Sequence, residues 1–214
     1  MGTERPGVFE EIRGPESGGR RAIQPLFFGG MDETHHHLFE TPIGVCGVAW
    51  NARGLCAVQL PEKDLATTEQ RLAKKSGSAG PGAPPEAIQA LVADIQNYLG
   101  GERVDFSGVT VDLTGIDDLR RRIYEALRGI DFGRTTTYGE LARAIGASDW
   151  EGARDVGIAM GSNRIPIVIP CHRVLAAGGK LGGFSAYGGT KTKEKLLALE
   201  GVRLDDGPPR LPGL

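Results

Sequence analysis

The chain has 214 residues and a net charge of −2, with 40% hydrophobic and 24% charged residues. This length and composition indicate a globular protein of one large domain or two small ones, with a real hydrophobic core. Three cysteines fit a reducing compartment better than a disulfide framework. No apolar run reaches the roughly 18 residues of a membrane helix, and no signal peptide is visible. We therefore expect a cytoplasmic, nucleoid-associated protein with no membrane partner.

The charges are distributed unevenly along the chain. Residues 119–204 contain 14 Lys and Arg against 8 Asp and Glu, whereas the remainder contains 11 against 19. A basic C-terminal half on an acidic remainder is the distribution that a surface facing a polyanion requires. Solvated helix faces produce the same bias, so charge alone does not assign nucleic-acid binding.

Residues 1–38 are rich in glycine, proline and charge and lack hydrophobic periodicity, which predicts a flexible extension. The segment ends with three adjacent histidines, His35, His36 and His37, before Leu38. Adjacent histidines do not suit a closed tetrahedral metal site. We predict that they are exposed to solvent and that the chain holds no metal.

Residues 39–115 are predicted to form an α/β domain. The stretches "TPIGVCGVAW" and "LCAVQLP" flank a polar turn at residues 51–54, which is typical of a β-hairpin. The hairpin holds Cys46 and Cys56, which we predict to be buried thiols, although a local disulfide stays open. A short helix, "TTEQRLAKK", and a flexible linker at residues 76–85 follow. An amphipathic helix stopped by Gly100 and a strand, "VDFSGVTVDL", complete the domain. The predicted core face of that helix consists of Ile88, Leu91, Val92, Ile95 and Leu99.

Residues 116–201 are predicted to be mostly helical, and residues 202–214 to form a tail. "DDLRRRIYEALRGI" places apolar residues on one helix face and arginines opposite. "YGELARAIG" and "WEGARDVGIAMG" are two short helices joined by a turn, in which Ser148 or Asp149 caps the second helix. On a basic half, this pattern is typical of a helix-turn-helix, but an αα-hairpin inside a core gives the same pattern. "KTKEKLLALEG" predicts a final helix.

The segment "SNRIPIVIPCHRV" carries the strongest chemical signal. Two prolines stiffen an apolar run that delivers Cys171 at its end, and His172 and Arg173 follow directly. Both neighbours favour the thiolate, which is the reactive form, so Cys171 is a candidate nucleophile. A lone cysteine is more often a small buried hydrophobe. In an extended segment His172 points away from Cys171. Proton transfer then requires a water or a third group, and Glu200 is a candidate to orient the imidazole.

The order of these motifs resembles the O6-alkylguanine-DNA alkyltransferases, also called methylated-DNA–protein-cysteine methyltransferases. The resemblance runs from about Leu119 to Gly201. In this range "IPCHRV" follows "GSN" and a Tyr-Gly-Glu-Leu-Ala helix, and precedes a Gly-rich loop and a "LLALEG" helix. The N-terminal hairpin resembles the family less specifically. The resemblance implies an α/β N-terminal domain with an RNase H-like sheet, and a mostly helical C-terminal domain with a winged-type helix-turn-helix.

The resemblance also implies a function. The helix-turn-helix would enter the minor groove of double-stranded DNA, O6-alkylguanine would be flipped into a pocket, and Cys171 would accept the alkyl group irreversibly. Such a protein acts once per molecule, as a monomer and without a cofactor. His172 would take the thiol proton through a water, Glu200 would hold His172, and Asn163 would support the active-site turn.

Further site residues carry over from their places in the family's motifs. Tyr138 would push on the phosphate of the target nucleotide and donate a proton to the leaving base. Arg154 would fill the gap that the flipped base leaves in the stack, and Arg164 and Arg173 are predicted to bind DNA. The guanine pocket would be formed by the carbonyl of Val174, the ring of Phe184 and the amide of Ser185.

The chain departs from the family's pattern at several positions. Phe184 stands where the family usually has a tyrosine, which keeps an apolar wall but removes a hydroxyl. The segment before the last helix is about two residues longer than usual. The usual Phe-Gln and Val-Trp pairs are replaced by Leu119-Arg120 and Ile123-Tyr124, which predicts a packing change. No four-ligand zinc site of the kind that some members carry is evident near the N-terminus.

The sequence leaves three other functions open. An alkyltransferase-like protein binds alkylguanine without repairing it, but such proteins replace the reactive cysteine. A helix-turn-helix regulator would use Cys171 only for packing or redox sensing, and would bind DNA irrespective of alkylation. A Cys-His-Glu hydrolase would turn over repeatedly on a small ester or amide.

Overall fold

The computed structural model describes residues 33–147 and 150–204. These residues form a sheet-rich N-terminal part and a helical C-terminal part that share one large hydrophobic core. The N-terminal sheet has the order β3-β2-β1-β4, with β4 parallel to β1 and the other neighbours antiparallel. Its strands are β1 (His35–Thr41), β2 (Gly44–Asn51), β3 (Gly54–Gln59) and β4 (Gly80–Pro81).

The turn between β2 and β3 shows how local sequence sets the sheet. The Asn51 side chain accepts a hydrogen bond from the Arg53 amide at 2.8 Å, so the turn closes on its own polar residues. Gly54 has φ +134°, and a β-carbon there would lie 2.6 Å from the carbonyl oxygen of Thr110. Glycine is therefore required at this position. The predicted hairpin with its polar turn is confirmed.

Two helices follow the hairpin, as predicted. Helix α1 (Leu65–Ser76) begins where the Asp64 side chain accepts a hydrogen bond from the Thr67 amide at 2.7 Å, and it ends at Gly77. It packs on β2 and β3. Helix α2 (Glu86–Leu99) buries its predicted apolar face except for Val92, which is half-buried, adds Tyr98 to that face, and packs against β1.

Helices dominate the C-terminal part. Its helices are α3 (Asp118–Arg128), α4 (Tyr138–Ala144), α5 (Trp150–Gly161) and α6 (Thr190–Leu199), and a short strand β5 (Thr136–Thr137) pairs parallel to β6 (Val174–Leu175). Helix α4 begins at a capping box between Thr137 and Glu140. It packs against α5, and both pack against α3. The predicted caps Ser148 and Asp149 lie outside the described residues.

One of the two changed pairs in α3 is accommodated in the core. Ile123 and Tyr124 are both buried, whereas Leu119 and Arg120 are half-buried. The Tyr124 hydroxyl donates a hydrogen bond to the carbonyl of Ala159 in α5 at 3.0 Å, which joins α3 to α5. Helix α6 packs against α2, which joins the two parts of the chain.

The prediction for the three histidines is wrong. Strand β1 begins at His35, inside the segment predicted as an extension, and residues 35 and 36 pair with β4, inside the segment predicted as a flexible linker. Alternation along the strand turns His36 inward. Its ring nitrogens lie 2.8 Å from the Ser78 hydroxyl and 3.2 Å from the Glu69 carboxylate. His36 is thus buried, not exposed.

Residues 104–113 do not form the predicted strand. The Asp105 side chain accepts a hydrogen bond from the Ser107 amide at 2.9 Å, and the Val109 amide donates to the Phe106 carbonyl. These bonds make a turn, which interrupts the alternation. A single isolated bridge joins Val111 to β3. Phe106 and Val109 reach the core from this turn rather than from a strand.

The two cysteines of the hairpin are free thiols. The register pairs Gly47 with Gln59, so Cys46 and Cys56 do not face each other across the strands. Burial raises the pKa of Cys46 to about 12 and that of Cys56 to about 11. Both are therefore poor nucleophiles.

Within the described residues, none of the helices has the length and apolar character needed to cross a bilayer. The same residues contain no cluster of three or more His, Cys, Asp or Glu side chains placed to hold a metal ion.

Candidate active site

Residues 162–170 form a tight turn rather than an extended segment. The amide of Ile169 bonds to the carbonyl of Ile165 at 2.8 Å, and Ile167 has φ +72°, which β-branched residues rarely adopt. Asn163 holds the turn from inside, because its Nδ2 donates to the Ile169 carbonyl at 2.8 Å and its Oδ1 accepts from the Ile165 amide at 2.9 Å. A strained backbone persists only where its surroundings hold it. The two hydrogen bonds of the buried Asn163 side chain hold the strained turn at Ile167.

Cys171 opens a 3₁₀ turn (Cys171–Arg173) directly after this segment. Its backbone is not extended, so the expectation that His172 alternates away from Cys171 does not apply. Burial raises the pKa of the Cys171 thiol, whereas a hydrogen bond from Asn163 and the positive charge of Lys193 act in the opposite direction. The resting residue is therefore a buried thiol that needs a base to become a nucleophile.

Glu200, directly after α6, is the centre of a buried hydrogen-bond network. Its carboxylate accepts from Arg173 Nη2 at 2.9 Å, from the Tyr98 hydroxyl at 2.7 Å and from the Gly133 amide at 3.1 Å, and it lies 2.7 Å from Nε2 of His172. Burial opposes ionisation of Glu200, but these hydrogen bonds outweigh it and lower its pKa to about 2. The carboxylate is ionised at neutral pH.

His172 is the second member of the network and is completely buried. Burial lowers the pKa of His172 and Glu200 offsets this only in part, so the imidazole is neutral. An ionised carboxylate cannot donate a hydrogen bond, so Nε2 carries the proton. Nδ1 is buried and has no hydrogen-bond partner within the described part of the chain. Its lone pair is free to accept a proton.

The structure contradicts the prediction that Arg173 binds DNA. The side chain is buried, and Nε and Nη2 both donate to Glu200. Nη1 donates to the carbonyl of Ile130. A guanidinium engaged on both edges with buried partners is not available to a phosphate. Arg173 instead keeps the Glu200 carboxylate ionised and in place.

Tyr98 is a site residue that the sequence did not reveal. Its hydroxyl donates to Glu200 and lies 3.1 Å from Nε2 of His172, although it belongs to helix α2 of the N-terminal part. Its ring meets Phe106 and Phe132 edge to face. It lies outside the core face that the helical spacing predicts, and nothing in the sequence links it to Glu200, 102 positions away.

Lys193 is a second unpredicted site residue. It is completely buried in α6, and its Nζ donates to the carbonyl of Val174, the residue after the Cys171 turn. Burial lowers the pKa of Lys193, whereas the charge of Cys171 raises it. A cation within electrostatic reach of the thiol stabilises the thiolate. A buried lysine among exposed ones in "KTKEK" carries no distinguishing sequence pattern.

A cavity of about 260 Å³, here the proximal cavity, opens beside Cys171. Phe184 and Ser185, two of the three residues expected to form the guanine pocket, line it together with Tyr138 and Met160. Val174 is not among its lining residues, because it is buried and its carbonyl is bound to Lys193. The cavity thus combines one thiol, apolar walls and a phenol, which suits a planar aromatic ligand that presents a group to Cys171.

A glycine fixes one wall of the proximal cavity. A β-carbon at Gly182 would lie 2.9 Å from the hydroxyl of Tyr138. The loop can therefore approach the phenol only because residue 182 lacks a side chain. Arg154, on α5, and Arg164, after α5, are both exposed. They are accessible to a polyanion, unlike Arg173.

A second cavity, of about 460 Å³, also reaches Cys171 and shares Phe184 and Ser185 with the proximal cavity. We call it the interdomain cavity, because it extends between α5 and the end of α1. Its walls include Glu62, Arg71, Lys74 and Lys75 from the N-terminal part, and Asn163, Arg164 and Pro166 from the C-terminal part.

The fold and this site define a two-domain protein, a sheet-rich domain followed by a helical domain that carries the cysteine. Two family models describe the same division. "6-O-methylguanine DNA methyltransferase, ribonuclease-like domain" matches residues 34–113, and "6-O-methylguanine DNA methyltransferase, DNA binding domain" matches residues 118–202.

Similar proteins agree with this assignment. A methylated-DNA–protein-cysteine methyltransferase of Mycobacterium tuberculosis is 37% identical over 79% of this chain and 93% of its own. One of Methanothermobacter thermautotrophicus is 35% identical over 77% of this chain and 84% of its own. The crystal structure of M. tuberculosis OGT in complex with DNA covers 78% of this chain and 92% of its own, with a TM-score of 0.61 and 34% identity. The chain belongs to the methylated-DNA–protein-cysteine methyltransferase family.

The Glu200 network generates a prediction for stability. Glu200→Gln leaves Arg173 buried without a counter-charge, so we expect the free energy of unfolding at neutral pH to fall by about 3 kcal/mol or more. In the parent protein, the depressed pKa of Glu200 contributes stability that is present above pH 4.5 and lost as the pH falls towards about 2. Urea unfolding across this range should show a smaller loss on acidification for Glu200→Gln than for the parent.

The matched control is Glu194→Gln, because Glu194 is exposed on the preceding helix α6. It should leave both the stability and its pH dependence within about 0.5 kcal/mol of the parent. Equal acid sensitivity in Glu200→Gln and the parent would show that Glu200 does not carry the charge of this network.

Proposed function

We propose that this protein repairs O6-alkylguanine in double-stranded DNA by moving the alkyl group to Cys171, once per molecule. The observation that carries the proposal is the placement of Cys171 at the wall of the proximal cavity, between the Asn163 turn and the neutral His172 held by Glu200. The names of the family members and of the DNA complex support the same activity.

The chemistry is displacement at carbon. Nδ1 of His172 accepts the thiol proton through a water, and the sulfur then forms a bond to the alkyl carbon of the lesion. The bond from that carbon to O6 breaks, and its electron pair goes to O6 of guanine. A proton from the Tyr138 hydroxyl neutralises the leaving base, and solvent restores the phenol. The product is a thioether at Cys171, which no group in the site can reverse, so each molecule acts once.

Asn163 and Lys193 assist this step electrostatically. Asn163 donates to the sulfur as well as holding the turn, and Lys193 lies within electrostatic reach of it. Both favour the thiolate as charge develops on the sulfur. His172 needs to hold the proton only briefly, because burial disfavours its charged form while Glu200 stabilises it.

Helices α4 and α5 form the DNA-binding element of the proposal. A base cannot reach a buried thiol from within a duplex, so the damaged guanine must be extruded into the proximal cavity. We infer that α5 enters the minor groove as the second helix of a winged-type helix-turn-helix. Exposed Arg154 then replaces the flipped base in the stack, Arg164 meets the phosphate backbone, and Tyr138 turns the target nucleotide. The N-terminal sheet is RNase H-like, and the protein acts on nucleoid DNA as a monomer.

Mass spectrometry of the intact protein tests the proposed reaction. After incubation with a duplex containing one O6-methylguanine, we expect one added methyl group per chain, located on Cys171. Cys171→Ala and an undamaged duplex should give none. Cys46 and Cys56 serve as internal controls, because burial raises the pKa of both thiols. Tight lesion-selective binding without transfer would instead identify a binding protein, and repeated turnover of an ester would identify a hydrolase.

The variant Arg154→Ala tests base flipping separately from alkyl transfer. Arg154→Ala should slow methyl transfer from the duplex on the order of tenfold or more, since the empty place in the stack is no longer filled. It should leave transfer from free O6-methylguanine within about twofold, because Arg154 does not line the proximal cavity. Arg103→Ala, an exposed arginine of the N-terminal part, should change neither rate. Equal losses on duplex and free base would contradict this role for Arg154.

A further inference from the structure

The interdomain cavity carries an excess of positive charge. Four cationic side chains line it, Arg71, Lys74, Lys75 and Arg164, against the single carboxylate of Glu62. The Glu62 side chain is 1% exposed, and its Oε1 accepts hydrogen bonds from Arg71 and Gln59, each at 3.0 Å. Glu62 is thus buried and one of its oxygens is occupied, and the cations that line the cavity outnumber its single carboxylate four to one.

Three of these cations lack an ion-pair partner. Within residues 33–147 and 150–204, no carboxylate lies in ion-pair contact with Lys74, Lys75 or Arg164. Lys75 is the most enclosed of them, and burial lowers the pKa of its amine, whereas the charges of Glu62 and Cys171 raise it. Lys75 has no direct ion pair among the described residues, although the charge of Glu62 acts on it, so an anion in the cavity would further stabilise its ammonium.

The geometry of the transfer reaction brings a substituent to this place. Displacement requires the sulfur, the carbon and O6 to lie in line, so any group attached to that carbon projects sideways from the line. The proximal cavity is occupied by the guanine. Beside the proximal cavity, the described residues form the interdomain cavity, which also borders Cys171 and offers space for the projecting group. A methyl group does not need it, but a longer substituent does.

We propose that the interdomain cavity is a substituent site which favours O6-alkyl groups ending in a carboxylate, such as carboxymethyl, through Lys75 and its neighbouring cations. This rests on the proposed function. In the reaction, the sulfur of Cys171 bonds to the methylene carbon, the bond from that carbon to O6 breaks with its electron pair on O6, and the guanine takes up a proton. Cys171 ends as S-carboxymethylcysteine, with its carboxylate facing the cations. Apolar Pro166 and Phe184 complete the walls around the methylene.

The test compares two isosteric lesions in one duplex sequence, O6-carboxymethylguanine and its neutral amide, O6-carbamoylmethylguanine. The intrinsic reactivities of the two lesions differ, so the quantity measured is the ratio of their transfer rates to Cys171, followed by mass spectrometry. In Lys75→Gln this ratio should fall on the order of tenfold relative to the parent, as expected for the loss of one charge pair of intermediate solvent exposure. Any general effect on thiolate formation cancels in the ratio.

Two further variants sharpen the result. Lys75→Arg keeps the charge and should keep the ratio, which separates charge from damage to folding. Lys63→Gln removes an exposed lysine outside the cavity and should also leave the ratio unchanged. An unchanged ratio in Lys75→Gln would overturn the substituent site.

The test also distinguishes other failures. If Lys75→Gln weakens binding to undamaged duplex and slows both lesions equally, the cations contact DNA phosphates and the inference is wrong. If the parent transfers methyl but neither longer group, the cavity is not reached and the inference fails alone. If the parent transfers no alkyl group at all, the proposed function fails with it.

Discussion

The ionised carboxylate of Glu200 is the constraint on which the rest of the site depends. It sits in the core, where a lone charge is costly, and it is held there by Arg173, Tyr98, His172 and the Gly133 amide. Because it only accepts hydrogen bonds, it dictates which nitrogen of His172 carries the proton. That choice leaves Nδ1 unprotonated, one residue after a thiol that burial keeps protonated. The same buried carboxylate thus forms the ion pair with Arg173 and sets the tautomer of the base that we propose.

The site is a product of both domains. Tyr98 comes from α2, whereas His172 and Glu200 come from the C-terminal part. The hydrogen-bond network around Glu200 is therefore complete only when the two parts are packed together. The interdomain cavity is also built from both parts, since one of its walls is the basic end of α1. The N-terminal domain, which a family model describes as ribonuclease-like, therefore supplies side chains to the surroundings of Cys171 and Glu200.

Features that one local sequence pattern determines could be predicted from the sequence. Helical spacing predicted α2 and α3, and the "GSN" and "IPCHRV" motifs pointed to Asn163, Cys171 and His172, which the fold brings into one site. Features that depend on contacts between residues distant in sequence could not be predicted. Arg173 reads as a free cation in the motif, but Glu200 and Ile130 bury it. Tyr98 and Lys193 could not be assigned to the site from the sequence, because their partners lie 102 and 19 positions away. Residues 104–113 alternate like a strand, yet short-range bonds at Asp105 turn the chain.

The protonation state of His172 in solution tests most directly whether Glu200 sets the tautomer of this ring. A long-range ¹H–¹⁵N correlation spectrum of the labelled protein, with the His172 signals assigned by their loss in His172→Gln, reports both ring nitrogens. We predict a neutral ring that is protonated at Nε2 and unprotonated at Nδ1 at neutral pH. A ring protonated at Nδ1, or at both nitrogens, would contradict it, because His172 could then not accept the proton of Cys171.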